Sequence, residues 1–169
     1  RLKAGYVITI NPYNQHIAHR VSLKPEDVTC FVFWTKNPTP FLKRLDELKG
    51  YQYYFQFTLN AYGTDLEPFV PNKNQLVQTF KILSNVIGKE KVIWRYDPIL
   101  INDYYTKEYH YYWFDKLCAK LSPFTNKCII SFIDVYKKIE NNFKKYHINN
   151  LSEEEMIDIA KTFQDIAHK

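Results

Sequence analysis

The stretch "VIWRYDPIL", residues 92–100, carries the pattern that decides the fold of this chain. Its apolar, aromatic and β-branched side chains predict a buried strand, yet Arg95 and Asp97 interrupt the second half. A charge inside a buried strand needs either an oppositely charged partner or a ligand. The end of this strand is therefore the first place to look for a functional site.

Working outward, the same kind of strand recurs along the chain and alternates with helical spacing. Further strands are predicted over residues 30–36, 51–60 and 127–135, and helices over 39–50, 75–88, 105–121, 136–146 and 151–167. Thr106 is a predicted helix N-cap, and Ser152 with Glu155 forms a predicted capping box. Upstream, "GYVITI" and "IAHRVSL" flank the turn formers of "NPYNQH" and predict a hairpin-like segment.

Strands separated by helices indicate an α/β fold built from repeated parallel βα units. We expect one domain over residues 1–169, without an internal linker. A doubly wound sheet and a (β/α) barrel both fit, but a complete barrel needs roughly 250 residues. The expectation is therefore a partial (β/α) TIM-type barrel, an incomplete portion of a longer barrel, or else a small open sheet.

Composition excludes several function classes. The net charge of +5 comes from 23 Lys+Arg against 18 Asp+Glu, a mild surplus that favours an ordinary solvated surface over a nucleic-acid or membrane face. No apolar run approaches the ~20 residues of a membrane span, and no signal peptide is evident, so we expect a soluble cytoplasmic protein. The sequence does not specify the oligomeric state.

The cysteines and histidines show no metal-ligand spacing, so we expect no metal site. Cys30, Cys118 and Cys128 are far apart and odd in number, which indicates buried thiols of a reducing compartment rather than a disulfide scaffold. The five histidines are expected at the surface or in turns. His110, within "YHYYWF", is expected on a helix face that packs against the sheet.

Polar residues near the strand ends supply the candidate site. "VFWTKNP", residues 32–38, matches "VIWRYDPI", residues 92–99, in its Val, Trp and Pro spacing. Aligning the tryptophans places Thr35 and Asn37 on the face that carries Arg95 and Asp97. In parallel α/β folds ligands bind outside the carboxyl ends of the strands. Arg95 and Asp97 are therefore predicted to be site residues, or alternatively an internal ion pair at the rim of the sheet.

The full prediction assigns two catalytic residues and eight substrate contacts. Arg95 would clamp an anion, and Asp97 would act as acid or base or accept from a ribose hydroxyl. The predicted substrate-binding residues are Thr35, Lys36, Asn37, Gln56, Thr58, Asn60, Ser131 and Asp134. Among these, the amides of Gln56 and Asn60 are expected to orient the substrate, while Ser131 and Asp134 should lie on opposite faces of their strand.

Five segments together resemble the bacterial family named domain of unknown function 1848. They are "FVFWTKNP", "YYFQFTLN" with the following Tyr-Gly, Asp and Glu-Pro, "KVIWRYDPI", "YHYYWFDKL" and "KCIISFIDVYKK". The resemblance covers nearly the whole chain. It implies a (β/α) barrel with an earlier first strand and a cysteine-rich tail for an iron–sulfur cluster, which invites comparison with radical S-adenosylmethionine enzymes such as spore photoproduct lyase.

The resemblance thus implies a cluster and S-adenosylmethionine in a longer protein, with no cofactor held by this chain. Its three cysteines do not match the cluster positions, and the chain resembles the middle of the barrel, beginning in the first helix and ending before the tail. The leading hypothesis is the substrate-binding core of a barrel enzyme acting on a polar or anionic small molecule or nucleotide. The alternatives are a non-catalytic nucleic-acid binder, recognisable by steep salt dependence, and a structural module.

Overall fold

The structure is a computed structural model that describes residues 1–134 and 140–169. The strands are β1 Tyr6–Asn11, β2 Asn14–Ser22, β3 Phe31–Thr35, β4 Tyr53–Thr58, β5 Val92–Ile99 and β6 Cys128–Phe132. The helices are α1 Thr39–Leu42, α2 Lys73–Ile87, α3 Lys107–Leu121, α4 Glu140–Lys145 and α5 Glu153–Ala167. The helix predicted over residues 136–146 lies partly outside the described residues, and α4 is its described part.

The strands form two separate sheets. β1 and β2 pair antiparallel as the predicted N-terminal hairpin, and β3 to β6 form a parallel sheet whose spatial order follows the chain. A mixed α/β architecture with repeated parallel βα units is thus confirmed. In the described residues this sheet has two edges, β3 and β6, and is not closed into a barrel.

One predicted helix is wrong. Residues 39–50 form only the single turn α1 and a 3-10 turn over Leu45–Leu48. The backbone leaves the helical region at Arg44, with φ −121° and ψ 6°. Short helices have little intrinsic stability, so tertiary packing decides their shape. Here the two short turns bring Phe41, Leu42 and Leu45 against the core.

Side-chain alternation gives the parallel sheet two different faces. On one face, Phe57, Trp94 and Tyr96 are at most 2% exposed and share one core with α2, α3 and α5. We call this the covered face. The opposite, open face carries Trp34, 64% exposed, and Val32, 48% exposed. Helices on a single face fit a strand order that never reverses, because each crossover then returns on the same side.

The caps of α3 and α5 are those predicted from the sequence. The Thr106 side chain accepts a hydrogen bond from the Tyr109 amide at the start of α3, and Ser152 and Glu155 form the predicted capping box of α5. Each bond satisfies a backbone N–H that the first turn cannot pair internally. Among the described residues, none of the helices combines the length and the apolar character needed to cross a membrane.

His110 is buried in α3 and hydrogen-bonds to β5 and to the residue that follows it. The predicted position on a helix face against the sheet is therefore right, and the predicted surface or turn position is wrong. His110 is 0% exposed. Its Nε2 lies 2.9 Å from the Leu100 carbonyl, which can only accept, so Nε2 carries the proton. Nδ1 then accepts from the Tyr96 hydroxyl at 2.7 Å. Burial lowers the pKa of His110 from 6.5 to about 4.

This burial predicts a pH dependence of stability. Because the folded state binds the His110 proton more weakly than the unfolded chain, the full contribution of neutral His110 is present above about pH 6.5. As the pH falls towards 4 this contribution should be lost, so the free energy of unfolding should decrease by about 3 kcal/mol in total. Urea unfolding between pH 4 and 7 should show this slope.

The matched variants are His110→Gln, which should flatten that part of the curve, and His16→Gln, which should not because His16 is exposed. A curve for His110→Gln that parallels the wild-type curve would contradict the assignment.

Candidate functional site

Strand register brings polar side chains of the open face together near the carboxyl ends of the strands. Trp34 pairs with Gln56 across β3 and β4, and Thr58 pairs with Arg95 across β4 and β5. Paired residues of neighbouring strands point to the same face. The open face thus collects side chains from several consecutive strands.

Arg95 and Asp97 form an ion pair at the centre of this group. Arg95 Nε lies 2.8 Å and its Nη2 2.6 Å from Asp97 Oδ2, and Nη1 donates to Gln56 Oε1 at 2.7 Å. The Ser131 hydroxyl from β6 donates to Asp97 Oδ1. The two charged side chains are only 12% and 13% exposed. We call Gln56, Arg95, Asp97 and Ser131 the strand-end cluster.

Trp34 adds an aromatic surface beside the strand-end cluster. The guanidinium carbon of Arg95 lies 4.2 Å from the centroid of the Trp34 ring, a stacking distance for a cation and an aromatic face. The Trp34 indole N–H donates to the Thr58 hydroxyl at 3.3 Å. The plane of Arg95 is thus fixed by Trp34 on one side and by carboxylate and amide oxygens at its edge.

Asn60 has a different role from the predicted substrate contact. It is 1% exposed, its Nδ2 donates to the Asp97 carbonyl at 2.8 Å, and its Oδ1 accepts from the Asp97 amide at 2.7 Å. The Asp97–Pro98 peptide that follows is cis. Asn60 therefore acts as a positioning residue that holds the backbone of Asp97.

The alignment of the two Val-x-Trp motifs is wrong. Thr35 pairs with Phe57, which pairs with Trp94, so Thr35 belongs to the covered face and not to the face of Arg95. The residue of β5 that corresponds to Trp34 is Ile93 and not Trp94, because Trp34 and Ile93 both pair with Gln56. The similarity of two short motifs does not determine the register of their strands, because a shift of one residue exchanges the two faces of a strand.

Thr35 and Asn37 stabilise the turn after β3. The Thr35 hydroxyl accepts from the Asn37 amide at 3.0 Å, and the Asn37 side chain accepts from the Thr39 amide at 3.1 Å. Side chains of this type commonly hydrogen-bond the backbone two residues further on. The structure does not bring these two residues into the strand-end cluster.

Lys36 lies in an ion-pair network that the sequence did not indicate. Its Nζ is 2.5 Å from one oxygen of Glu67, and Lys73 pairs with the other oxygen. Glu67 is 7% exposed, so its charge needs these partners. The network ties the loop after β4 to β3 and α2. Alternation along strands could not reveal Glu67, because Glu67 lies in a loop.

Asp134 is exposed and is not part of the strand-end cluster. It borders a small cavity of about 260 Å³ with Ile133 and Asn149. Of the predicted site residues, the structure brings together Gln56, Thr58, Asn60, Arg95, Asp97 and Ser131, and leaves Thr35, Lys36, Asn37 and Asp134 outside.

The described residues do not fit a metal or an iron–sulfur cluster. They contain no group of three or more His, Cys, Asp or Glu side chains placed to hold an ion. Cys30 is exposed, contrary to prediction, and Cys118 and Cys128 are partly buried. Burial raises the pKa of the Cys118 thiol to about 12 and also raises that of Cys128, which opposes thiolate formation.

A family model covers the whole chain. The domain of unknown function DUF1848 matches residues 1–169. The chain belongs to the DUF1848 family. Searches of curated proteins and of solved structures found no match. The membership agrees with the resemblance of the strand and helix motifs, and the family description assigns no activity to the strand-end cluster.

The role of Asn60 generates a stability prediction. In Asn60→Ala the amide and carbonyl of Asp97 lose the two hydrogen bonds that the buried Asn60 makes with them, and the free energy of unfolding should fall by roughly 3 kcal/mol. Urea unfolding followed by circular dichroism measures the change. Asn126→Ala is the matched control, because Asn126 is exposed and the same substitution should change stability by less than about 0.5 kcal/mol. Equal stabilities of the two variants would contradict the positioning role.

Proposed function

We propose that this member of the DUF1848 family contributes consecutive βα units to a (β/α) TIM-type barrel and that its open face lines the interior. Strand order that follows the chain, with α2, α3 and α5 on one face, supports this architecture. A doubly wound sheet would reverse its strand order and carry helices on both faces. The single domain over residues 1–169 is then a portion of the barrel.

Within this architecture the strand-end cluster is the substrate-binding centre of an enzyme. The observation that carries the proposal is the convergence of Gln56, Arg95, Asp97 and Ser131 from three consecutive strands at the carboxyl ends, where barrel enzymes bind substrates. A largely buried charge pair contributes little net stability compared with apolar side chains. Its presence there therefore favours a role in binding.

The chemistry of the cluster indicates a substrate that offers both acceptors and donors. A guanidinium has five N–H donors, and Arg95 donates one hydrogen bond to Asp97 and one to Gln56, so N–H groups remain for a ligand. Because Asp97 balances the charge of Arg95, a purely anionic ligand gains little from the pair. A small molecule or nucleotide with a phosphate or carboxylate and neighbouring hydroxyls fits better.

Each residue then has a separate role in the proposed site. Arg95 binds the acceptor group of the substrate, and Asp97 accepts a hydrogen bond from a hydroxyl or takes up its proton. Ser131 and Gln56 fix the orientation of this pair through their bonds to it. Trp34, which is largely exposed, supplies a flat apolar surface next to Arg95.

The proposal is tested by following the arginine Nε–H signals in ¹H–¹⁵N spectra during titration with ribose 5-phosphate and with inorganic phosphate. The chain has four arginines, and Arg95→Lys identifies the Arg95 signal by its loss. Ribose 5-phosphate should shift this signal saturably and more strongly than phosphate alone, because it offers hydroxyls to Asp97.

Arg44 is the internal control, since its Nε also pairs with a carboxylate, that of Glu47, at 2.8 Å but on the surface. Its signal should drift only slightly with ionic strength. An Arg95 signal that responds no more than the Arg44 signal would refute a ligand site at the strand-end cluster.

A further inference from the structure

A second cavity, of about 700 Å³, lies between the first turn of α2 and the outer surface of α3. It is separate from the strand-end cluster because its floor includes Val77 and Leu117, which belong to the core of the covered face. We call it the α2–α3 cleft. Its volume lies within the range of small-molecule sites in proteins.

One wall of the α2–α3 cleft is aromatic. Tyr104, Tyr109 and Trp113 line it, with centroid distances of 5.7 Å between the first two rings and 6.2 Å between the last two. The Tyr109 hydroxyl is fixed by its bond to the Ala61 carbonyl at 2.8 Å. Tyr104 is 70% and Trp113 39% exposed. These two rings thus present apolar surface against which a planar ligand can stack.

The wall continues along α3 with positive charge. Lys116 and Lys120 also line the cleft and follow Trp113 at successive turns of the same helix. In the part of the chain that the structure describes, no carboxylate oxygen lies within 4.0 Å of either ammonium. From Trp113 to Lys120 the helix rises about 10 Å, at 1.5 Å per residue.

A third group in the cleft accepts hydrogen bonds. Asp65 Oδ1 accepts from the Tyr105 hydroxyl at 2.7 Å, and the same hydroxyl accepts from the Gly63 amide at 3.1 Å. A Cβ at Gly63 would lie 2.8 Å from Asp65 Oδ1, so the carboxylate lies close to the backbone of Gly63. Among the described residues, no hydrogen bond is donated to the second oxygen of Asp65, an exposed residue, and this oxygen can accept from a hydroxyl.

We propose that the α2–α3 cleft binds a nucleotide, with the base stacked on Trp113 and Tyr104, the phosphates bound by Lys116 and Lys120, and a ribose hydroxyl donating to Asp65. A nucleotide is the ligand class that combines a flat aromatic ring, a polyol and an anionic chain. Base stacking on aromatic side chains and phosphate contact with lysines are the two interactions that nucleotide-binding surfaces share. The site is distinct from the substrate centre proposed at Arg95.

Isothermal titration calorimetry of the full chain with ATP tests the proposal. Trp113→Ala should weaken ATP binding about tenfold, since one base–aromatic stack contributes roughly 1–3 kcal/mol. The double variant Lys116→Gln/Lys120→Gln should weaken binding and reduce its salt dependence. Because these two lysines are exposed, the double variant keeps the test decisive if Trp113→Ala folds poorly.

Matched controls are Tyr13→Ala and Lys161→Gln, both exposed and outside the cleft; neither should change ATP binding. All these variants leave Arg95 and Asp97 in place, so a failure of this inference is distinguishable from a failure of the proposed substrate centre. Inorganic triphosphate is the comparison ligand, and it should bind more weakly than ATP because it lacks a base.

The nucleotide could be free in solution or part of a nucleic-acid strand. Binding of a single-stranded ten-residue deoxyadenosine oligonucleotide, measured by fluorescence anisotropy, distinguishes these two ligands. Binding of ATP in preference to the oligonucleotide supports a free nucleotide, and the reverse supports a nucleotide within a strand, with the same variants affected. Equal binding of ATP and triphosphate, no effect of Trp113→Ala, or no binding of either nucleotide ligand would overturn the proposal.

Discussion

The alternation of side chains along β5 is the constraint on which the rest of the structure depends. Trp94 and Tyr96 point to the covered face, where they contact Phe114 and Phe163 with ring centroids 5.0 to 5.5 Å apart. Arg95, between them, must therefore point to the open face. The packing of the helices and the position of the charge pair are two consequences of one strand register.

Much of the architecture follows from local sequence patterns. The four parallel strands, the N-terminal hairpin and the caps at Thr106 and Ser152 depend on periodicity and on nearby side chains, and sequence reports both directly. The helix predicted over residues 39–50 failed because tertiary packing, rather than its own periodicity, determines the conformation there.

The candidate site was predictable in part for the same reason. Polar residues at the ends of β4, β5 and β6 could be recognised by alternation, and the structure brings Gln56, Arg95, Asp97 and Ser131 together. The register between β3 and its neighbours could not be deduced from the sequence, so Thr35 was placed on the wrong face. Glu67 escaped notice because it lies in a loop, where no periodicity applies, and because one of its two partners, Lys36, is 31 residues away.

The two proposed sites lie on opposite faces of the sheet, near the carboxyl ends of its strands, and Asn60 connects them. Its amide holds the backbone of Asp97, while the residue also borders the α2–α3 cleft. The loop from Asn60 to Glu67 thus contacts both sites, and it is anchored by the lysines at Glu67.

Whether Arg95 and Asp97 serve a ligand rather than the stability of the sheet is tested most directly by replacing both with apolar residues. In Arg95→Leu/Asp97→Val the unfolding free energy, measured with urea, should stay within about 1 kcal/mol of the wild-type value, because an apolar pair on a strand offsets the lost ion pair. Each single variant should be less stable than the double variant, since it leaves one charge unpaired. A loss of about 3 kcal/mol or more in the double variant would show that the pair is a structural element, and would contradict the account.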